Sequence, residues 1–214
     1  MSIRLVAFDL DGTLIRGRNS LTVVADALHR PEWEQQMEIL YMRGETPEQM
    51  RERVAPWREF ATGELSRHLV RSHFAPGVDE AFRLLQARQV TTAIVSIGWA
   101  FMVGWFAARF RAAHWVGVGL DPAGAVTPFW PEDKGPWLER LMATLHLSRD
   151  EVAAVGDSPR DASLFRSAGH SFYVGLDRPE GFDGIQHYPD GNLAAVAGRS
   201  SACDRPGAGR DAAG

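Results

Sequence analysis

Asp9 and Asp11 stand one residue apart at the end of an apolar run, in the stretch FDLDGTLI, straight before a Gly-Thr pair. Two carboxylates so close repel each other unless a cation lies between them or one of them holds a proton. Mg²⁺, a hard octahedral ion, is content with one or two carboxylates plus water and phosphate oxygens, so the pair is a candidate metal site. Taken alone it is equally a turn, since Asp beside Gly12 is ordinary turn chemistry. Three further places carry groups suited to an anionic substrate. Ser96, followed by Gly98, offers a hydroxyl and free backbone N–H groups after the run TTAIV. Lys134 opens the pattern KGPWLERL, where a cation opposes the positive end of the helix dipole and calls for an anion nearby. VGDSPRD sets Asp157 at the tip of another apolar run, with Asp161 about a turn beyond. Each has an everyday structural role too: Ser96 as a helix cap, Lys134 as a solvated charge, Asp157 and Asp161 as caps of a helix with Pro159 near its start. Their joint occurrence at successive run ends is what singles out a site.

The runs themselves are Ile3 to Phe8, Thr91 to Val95, His114 to Leu120, Glu151 to Gly156 and Ser171 to Gly175, all apolar and β-branched. Between most of them, Val78 to Arg88, Trp99 to Arg109, Gly135 to His146 and Asp161 to Ala168 show apolar residues three and four apart. Near-continuous apolar strands alternating with helices predict an α/β fold, a Rossmann-like three-layer arrangement of a parallel sheet covered on both faces. In such sheets chemistry collects beyond the C-terminal strand ends. The segment 16–74 is rich in Glu, Arg and Gln and lacks a convincing strand, so it is expected to be a small helical cap inserted after the first strand. The core is expected over 1–15 and 75–197, and 198–214 reads as a disordered tail with too little apolar surface to offset its ordering entropy.

DLDGT, Ser96, Lys134 and GDSPRD, in that order, resemble the four motifs of the haloacid dehalogenase-like (HAD) phosphohydrolase superfamily. FAPGVDEAFRLL, AIVSIG, DKGPWLERL and AAVGDSPRD are similar to its phosphoserine-phosphatase-like branch, which also carries a helical cap. The resemblance covers the chain up to about residue 176. It implies that Asp9 is the nucleophile and Asp11 the general acid and base, with Ser96 and Lys134 on the phosphate. It further implies Mg²⁺ held by Asp9, the Asp11 carbonyl and Asp157, while Asp161 orients Lys134 or metal-bound water. Asp11 speaks against dehalogenation, because a halide leaves without a proton and an alkoxide does not. In the same branch a glutamate and a cap arginine meet the substrate. Here Arg18 falls at the glutamate position, and Arg53 is the counterpart of the arginine. Gly98 and Trp99 stand near the substrate mouth, Trp99 being equally a core residue. Arg160 replaces a usual asparagine.

A formal net charge of −4 over 214 residues gives no basic surplus for nucleic acid or an anionic membrane. The uncharged stretch between Arg88 and Arg109 approaches the roughly 20 residues of a bilayer helix. Thr91, Thr92, Ser96 and Gly98 interrupt it, so a strand, a turn and a buried helix are expected instead. One cysteine, seven histidines without zinc-like spacing and no secretion signal fit a cytoplasmic protein. A Mg²⁺-dependent phosphomonoesterase acting on a small phosphoester is the leading expectation. A phosphotransferase or phosphomutase, or a non-catalytic binding module, remains open, and the oligomeric state is not readable.

Overall fold

In a computed structural model of the protein, the described residues are 2–27, 29–30, 66–121, 123, 125–177, 180–182 and 184–200. They form a seven-stranded sheet in the order β4-β3-β2-β1-β5-β6-β7. The strands are β1 (Leu5–Phe8), β2 (Thr91–Trp99), β3 (His114–Leu120), β4 (Val126–Thr127), β5 (Val152–Gly156), β6 (His170–Tyr173) and β7 (Gln186–His187). All neighbours pair in parallel except β4, which runs antiparallel to β3 at one edge. β1 lies at the centre, Leu5 facing Thr91 on one side and Val152 on the other. That position accounts for its unbroken apolar sequence, since every side chain from Leu5 to Phe8 is buried.

The pleat of β1 divides the core. Val6 and Phe8 point into one cluster and Leu5 and Ala7 into the other. On the first face lie α3 (Val78–Ala87), α4 (Ala100–Phe110) and α7 (Leu193–Ser200). On the second lie α5 (Lys134–Leu145) and α6 (Ala162–Ser167). The helices change face between β3 and β5, so the crevice outside the ends of β1 and β5 is a topological switch point. The fold is therefore the three-layer α/β class expected from sequence.

β2 does not stop at Val95 as its sequence predicts. Its pairing with β3 breaks after Val95↔Val116 and resumes at Trp99↔Val118, leaving Ser96 to Gly98 in an irregular stretch. Gly117 permits this, because a Cβ there would meet the Gly98 carbonyl oxygen at 2.5 Å. The helix after it accordingly starts at Ala100. The 88–109 segment is thus a strand and a buried helix, and no helix among the described residues is long and apolar enough to cross a membrane.

Within 16–74, α1 (Ser20–Ala27) and the single turn α2 (Ser66–Leu69) are described, and both are helical. Residues 31–65, Arg53 among them, lie outside the described residues. At the other end α7 runs on to Ser200, past residue 198 where the sequence reading begins the tail. Residues 201–214 lie outside the description. β4, β7 and α7 have no counterpart in the sequence reading, the two strands being only two residues long each.

Candidate active site

Asp9 follows the last residue of β1, and its N–H donates to Val155 O at 2.9 Å, which ties it to the end of β5. The chain then turns through Gly12, whose φ of 91° belongs to the left-handed region. A Cβ there would run into the Asp157 carboxylate, so the turn after Asp11 is also a close approach to the end of β5. Thr13 bridges the two, its hydroxyl 3.2 Å from Asp9 Oδ2 and 3.1 Å from Asp157 Oδ1.

Lys134 opens α5 and is 1% exposed. Its Nζ donates to Asp9 Oδ1 at 2.7 Å and to Asp161 Oδ1 at 2.6 Å. The anion that its odd position calls for is therefore a pair of carboxylates. Asp161 uses its second oxygen differently: Oδ2 accepts from the N–H groups of Asp157 (3.1 Å) and Ser158 (3.2 Å) and from the Ser158 hydroxyl (3.3 Å). One oxygen caps the turn Pro159–Asp161 while the other accepts from the lysine ammonium. Gly156 leaves room for this carboxylate.

Asp11 faces another element. Its Oδ1 accepts the Ser20 N–H at 2.5 Å and its Oδ2 the Ser20 hydroxyl at 3.2 Å, at the first residue of α1. Asn19 caps the same helix through Thr22 N–H at 2.7 Å. Ser96 is buried and its Oγ accepts the Gly98 N–H at 3.0 Å. A Cβ on Gly98 would lie 3.3 Å from Ser96 Oγ and 3.6 Å from Asp11 Oδ2, so these groups border one small space.

Burial first, then the Asp161 charge, raises the Asp9 carboxyl well above the usual range, with Lys134 opposing. The same two causes push Asp157 up to about 6, against Thr13 and Arg16. Burial raises Asp11 as well, partly offset by the Ser20 bonds. Burial would lower Lys134, yet Asp9 and Asp161 outweigh it and hold the ammonium charged. Ligand oxygens of Asp9, Asp157 and Asp161 lie within 4.8 Å of one another. Three carboxylates around one ammonium form a charge excess that a divalent cation would relieve, and an all-oxygen donor set suits Mg²⁺. Asp161 Oδ2 takes three protein donors, whereas each Asp9 oxygen takes one and Asp157 Oδ1 takes one, which leaves Asp9 and Asp157 as the side chains with the most lone-pair capacity for an ion.

Among the remaining candidates, Trp99 is wholly buried and stacks on Phe101 with centroids 6.1 Å apart, the core placement that the sequence also allows. Arg18 is exposed and forms an ion pair with Asp26 of α1. Arg160 is exposed on the Pro159–Asp161 turn. The sequence reading passes over three residues that the structure brings to the site: Thr13, Ser20 and Arg16. The half-buried Arg16 guanidinium donates to Val174 O at 2.8 Å, and Asp157 and Asp190 offset the effect of its burial. Thr13 sits inside the motif already noticed, whereas Ser20 and Arg16 act through long-range contacts that leave no spacing signal.

The model of the haloacid dehalogenase-like hydrolases matches residues 6–166. The chain belongs to that family. Its fold is similar to that of a HAD family hydrolase from Salmonella enterica subsp. enterica serovar Typhi, at 16% identity over 92% of this chain and 71% of that one, with a TM-score of 0.72. It is also similar to a phosphoserine phosphatase in apo form (19% identity, 91% and 98% covered, TM-score 0.69). A third likeness is the cobalt-bound deoxy-D-mannose-octulosonate 8-phosphate phosphatase of Haemophilus influenzae (16%, 93% and 87%, TM-score 0.57). No curated protein matches the chain.

Proposed function

We propose that the protein is a Mg²⁺-dependent phosphatase that hydrolyses a small-molecule phosphomonoester through an aspartyl-phosphate. The observation that carries this reading is the division of contacts between two neighbouring carboxylates: Asp9 accepts the buried Lys134 ammonium, whereas Asp11 is held by Ser20 at the start of α1 and borders the same space as Ser96 and Gly98. Cleavage of an alkyl phosphate needs a carboxylate nucleophile and a second carboxyl within reach of the leaving oxygen to carry a proton. A carboxylate oxygen of Asp9 attacks phosphorus, the bond from phosphorus to the ester oxygen breaks, and the Asp11 proton goes to the departing alkoxide. Asp11, now ionised, takes a proton from water, whose oxygen attacks phosphorus and releases phosphate and free Asp9. Lys134 and Ser96 stabilise the transferring oxygens, and Asp161 keeps Lys134 in line. Asp9, Asp157 and the Asp11 carbonyl are the groups that would hold the ion. Bound there, Mg²⁺ offsets the repulsion between carboxylate and phosphate.

The solved structures with this fold include phosphoserine phosphatases, one of them described as a phospho-aspartyl intermediate analogue, which supports the covalent route. Arg18 stands at the position where the resembled branch carries its substrate-contacting glutamate, and a guanidinium there would repel an ammonium and pair with oxyanions. Arg53 would add a second cation from the 16–74 cap, and the cytoplasm is the compartment that the composition fits. The test is phosphate release, with Mg²⁺ and with EDTA, from phosphoserine, phosphoglycerate, phosphoglycolate and sugar phosphates. We expect Mg²⁺-dependent release, with phosphoserine among the poorest. An isomerised ester in place of free phosphate identifies a mutase, and no turnover of any ester overturns the reading.

A further inference from the structure

Lys134 is the only lysine in the sequence, and it is also the buried cation of the site. We infer that Ser163, on the neighbouring helix α6, is the residue that positions Lys134 for the transferring phosphoryl group. This role rests on the phosphatase reading above and deepens it.

The first N–H groups of a helix have no partner within it, and the residue before the helix normally caps one of them. At α5 that residue is Asp133, and its side chain does not cap. Its Oδ2 instead accepts the Trp130 N–H at 2.8 Å. Ser163 stands in from outside the helix. Its Oγ accepts the Gly135 N–H at 3.3 Å and donates to Pro131 O at 2.5 Å. The same Pro131 carbonyl accepts the Lys134 N–H. One hydroxyl therefore holds the backbone on both sides of Lys134. Gly135 brings the two helix starts into contact, since a Cβ there would meet Ser163 O at 2.6 Å and Ser167 Oγ at 2.8 Å.

Asp161 lies two residues before Ser163 and accepts the Lys134 ammonium at 2.6 Å. The lysine is thus gripped at both ends from one short segment, by Asp161 at Nζ and by Ser163 at the backbone. An ammonium has three donors. Asp9 Oδ1 and Asp161 Oδ1 take two of them, so the direction of the third follows from where the backbone sets the nitrogen. Misplacing a catalytic group by about 1 Å can cost ~10²-fold in rate. Farther along the same interface the Ser167 hydroxyl donates to Glu139 Oε1 at 2.7 Å. That bond also ties α6 to α5, but it lies beyond the turn that carries Lys134, so the two serines separate positioning from plain helix attachment.

The test compares Ser163→Ala with Ser167→Ala in the full chain with Mg²⁺. Each should lower Tm by only roughly 2–6 °C, the effect of one lost hydrogen bond. Ser163→Ala alone should lower kcat about 10- to 100-fold with KM within about 2-fold, read on whichever of phosphoserine, phosphoglycerate, phosphoglycolate and the sugar phosphates is hydrolysed fastest. A second readout does not depend on turnover. With a single lysine in the chain, ¹⁵N-lysine labelling reports the Lys134 ammonium as one side-chain resonance, kept sharp by burial and by its two carboxylate partners. That resonance should broaden in Ser163→Ala and persist in Ser167→Ala. An unchanged resonance or an unchanged kcat in Ser163→Ala, or equal losses in both variants, overturns the inference. Broadening in Ser163→Ala alone, in a protein whose wild type hydrolyses no ester, keeps the hold of Ser163 on Lys134 and removes the phosphatase. Turnover with an unmoved resonance does the reverse, and neither turnover nor broadening removes both.

Discussion

The aspartates of this site divide their work by what each oxygen touches. Asp9 shares Lys134 with Asp161, while Asp11 is bound by the N-terminal residue of α1. The two substitutions Asp9→Asn and Asp11→Asn are therefore expected to differ in kind. Asn at 9 keeps the shape and removes the proposed nucleophile, so phosphate release should stop with the fold intact, as circular dichroism would verify. Asn at 11 keeps the proposed nucleophile and removes the proposed proton relay, so turnover should fall ~10²–10⁴-fold while the aspartyl-phosphate forms or decays slowly. Rapid-quench detection of protein-bound phosphate distinguishes the two. A folded Asp9→Asn protein with near-normal release would rule out the covalent route, and unchanged rates for Asp11→Asn would remove that residue from proton transfer.

Among the elements, the start of β5 is pinned to the start of β1 by one carboxylate. Glu151 accepts from Ser148 N–H and Oγ, both at 2.9 Å, and from Arg4 at 3.0 Å. These bonds, the Ser148 N–H first, lower the Glu151 carboxyl from 4.5 to about 2. A folded value below the unfolded one means stability that is present above the unfolded pKa and is lost as pH falls through the folded one. Glu151→Gln should thus lower Tm at pH 7, and its difference from wild type should shrink between pH 4.5 and about 2. Thermal melts of both proteins at pH 7 and near pH 2 check this, and a difference independent of pH would show that the Glu151 charge plays no part.

The molecule as a whole is closed by α7, which returns from the far sheet edge to cover α3. Leu193, Val196 and Ala197 are buried there, and the Leu193 N–H donates to Pro76 O at 2.9 Å. Burying a Leu or Val side chain contributes about 1.5–3 kcal/mol each. A chain ending at Asn192 should therefore lose roughly 6–24 °C in Tm, at about 2–4 °C per kcal/mol for a domain of this size. A chain ending at Ser200 should melt within about 2 °C of the full chain, because 201–214 is small, polar and Gly/Pro-punctuated. Equal melting of both truncations would show that α7 adds nothing to the core.

What could be read without coordinates was whatever depends on near neighbours in the chain. The alternation of apolar runs and helical periods reports which residues are buried, and burial follows from residue type, so the parallel α/β core and the helix on either side of each strand were visible. DLDGT, Ser96, Lys134 and GDSPRD were visible for the same reason, each being a short segment at the end of a run. The relations among those segments were not. That Lys134 joins Asp9 to Asp161 across 125 and 27 residues depends on strand order and on the face to which α5 returns. Thr13 between two carboxylates, Ser20 on Asp11 and Arg16 on Val174 are likewise set by packing. The extension of β2 through Gly98 depends on Gly117 in the neighbouring strand, 19 residues further along the chain. A cleft lined by Arg18 and Arg71, which lie 53 residues apart in the chain, likewise exists only in the folded protein. Spacing in a sequence records local periodicity, whereas a site is an arrangement of distant residues, and the chain reversals that create it have no period to read.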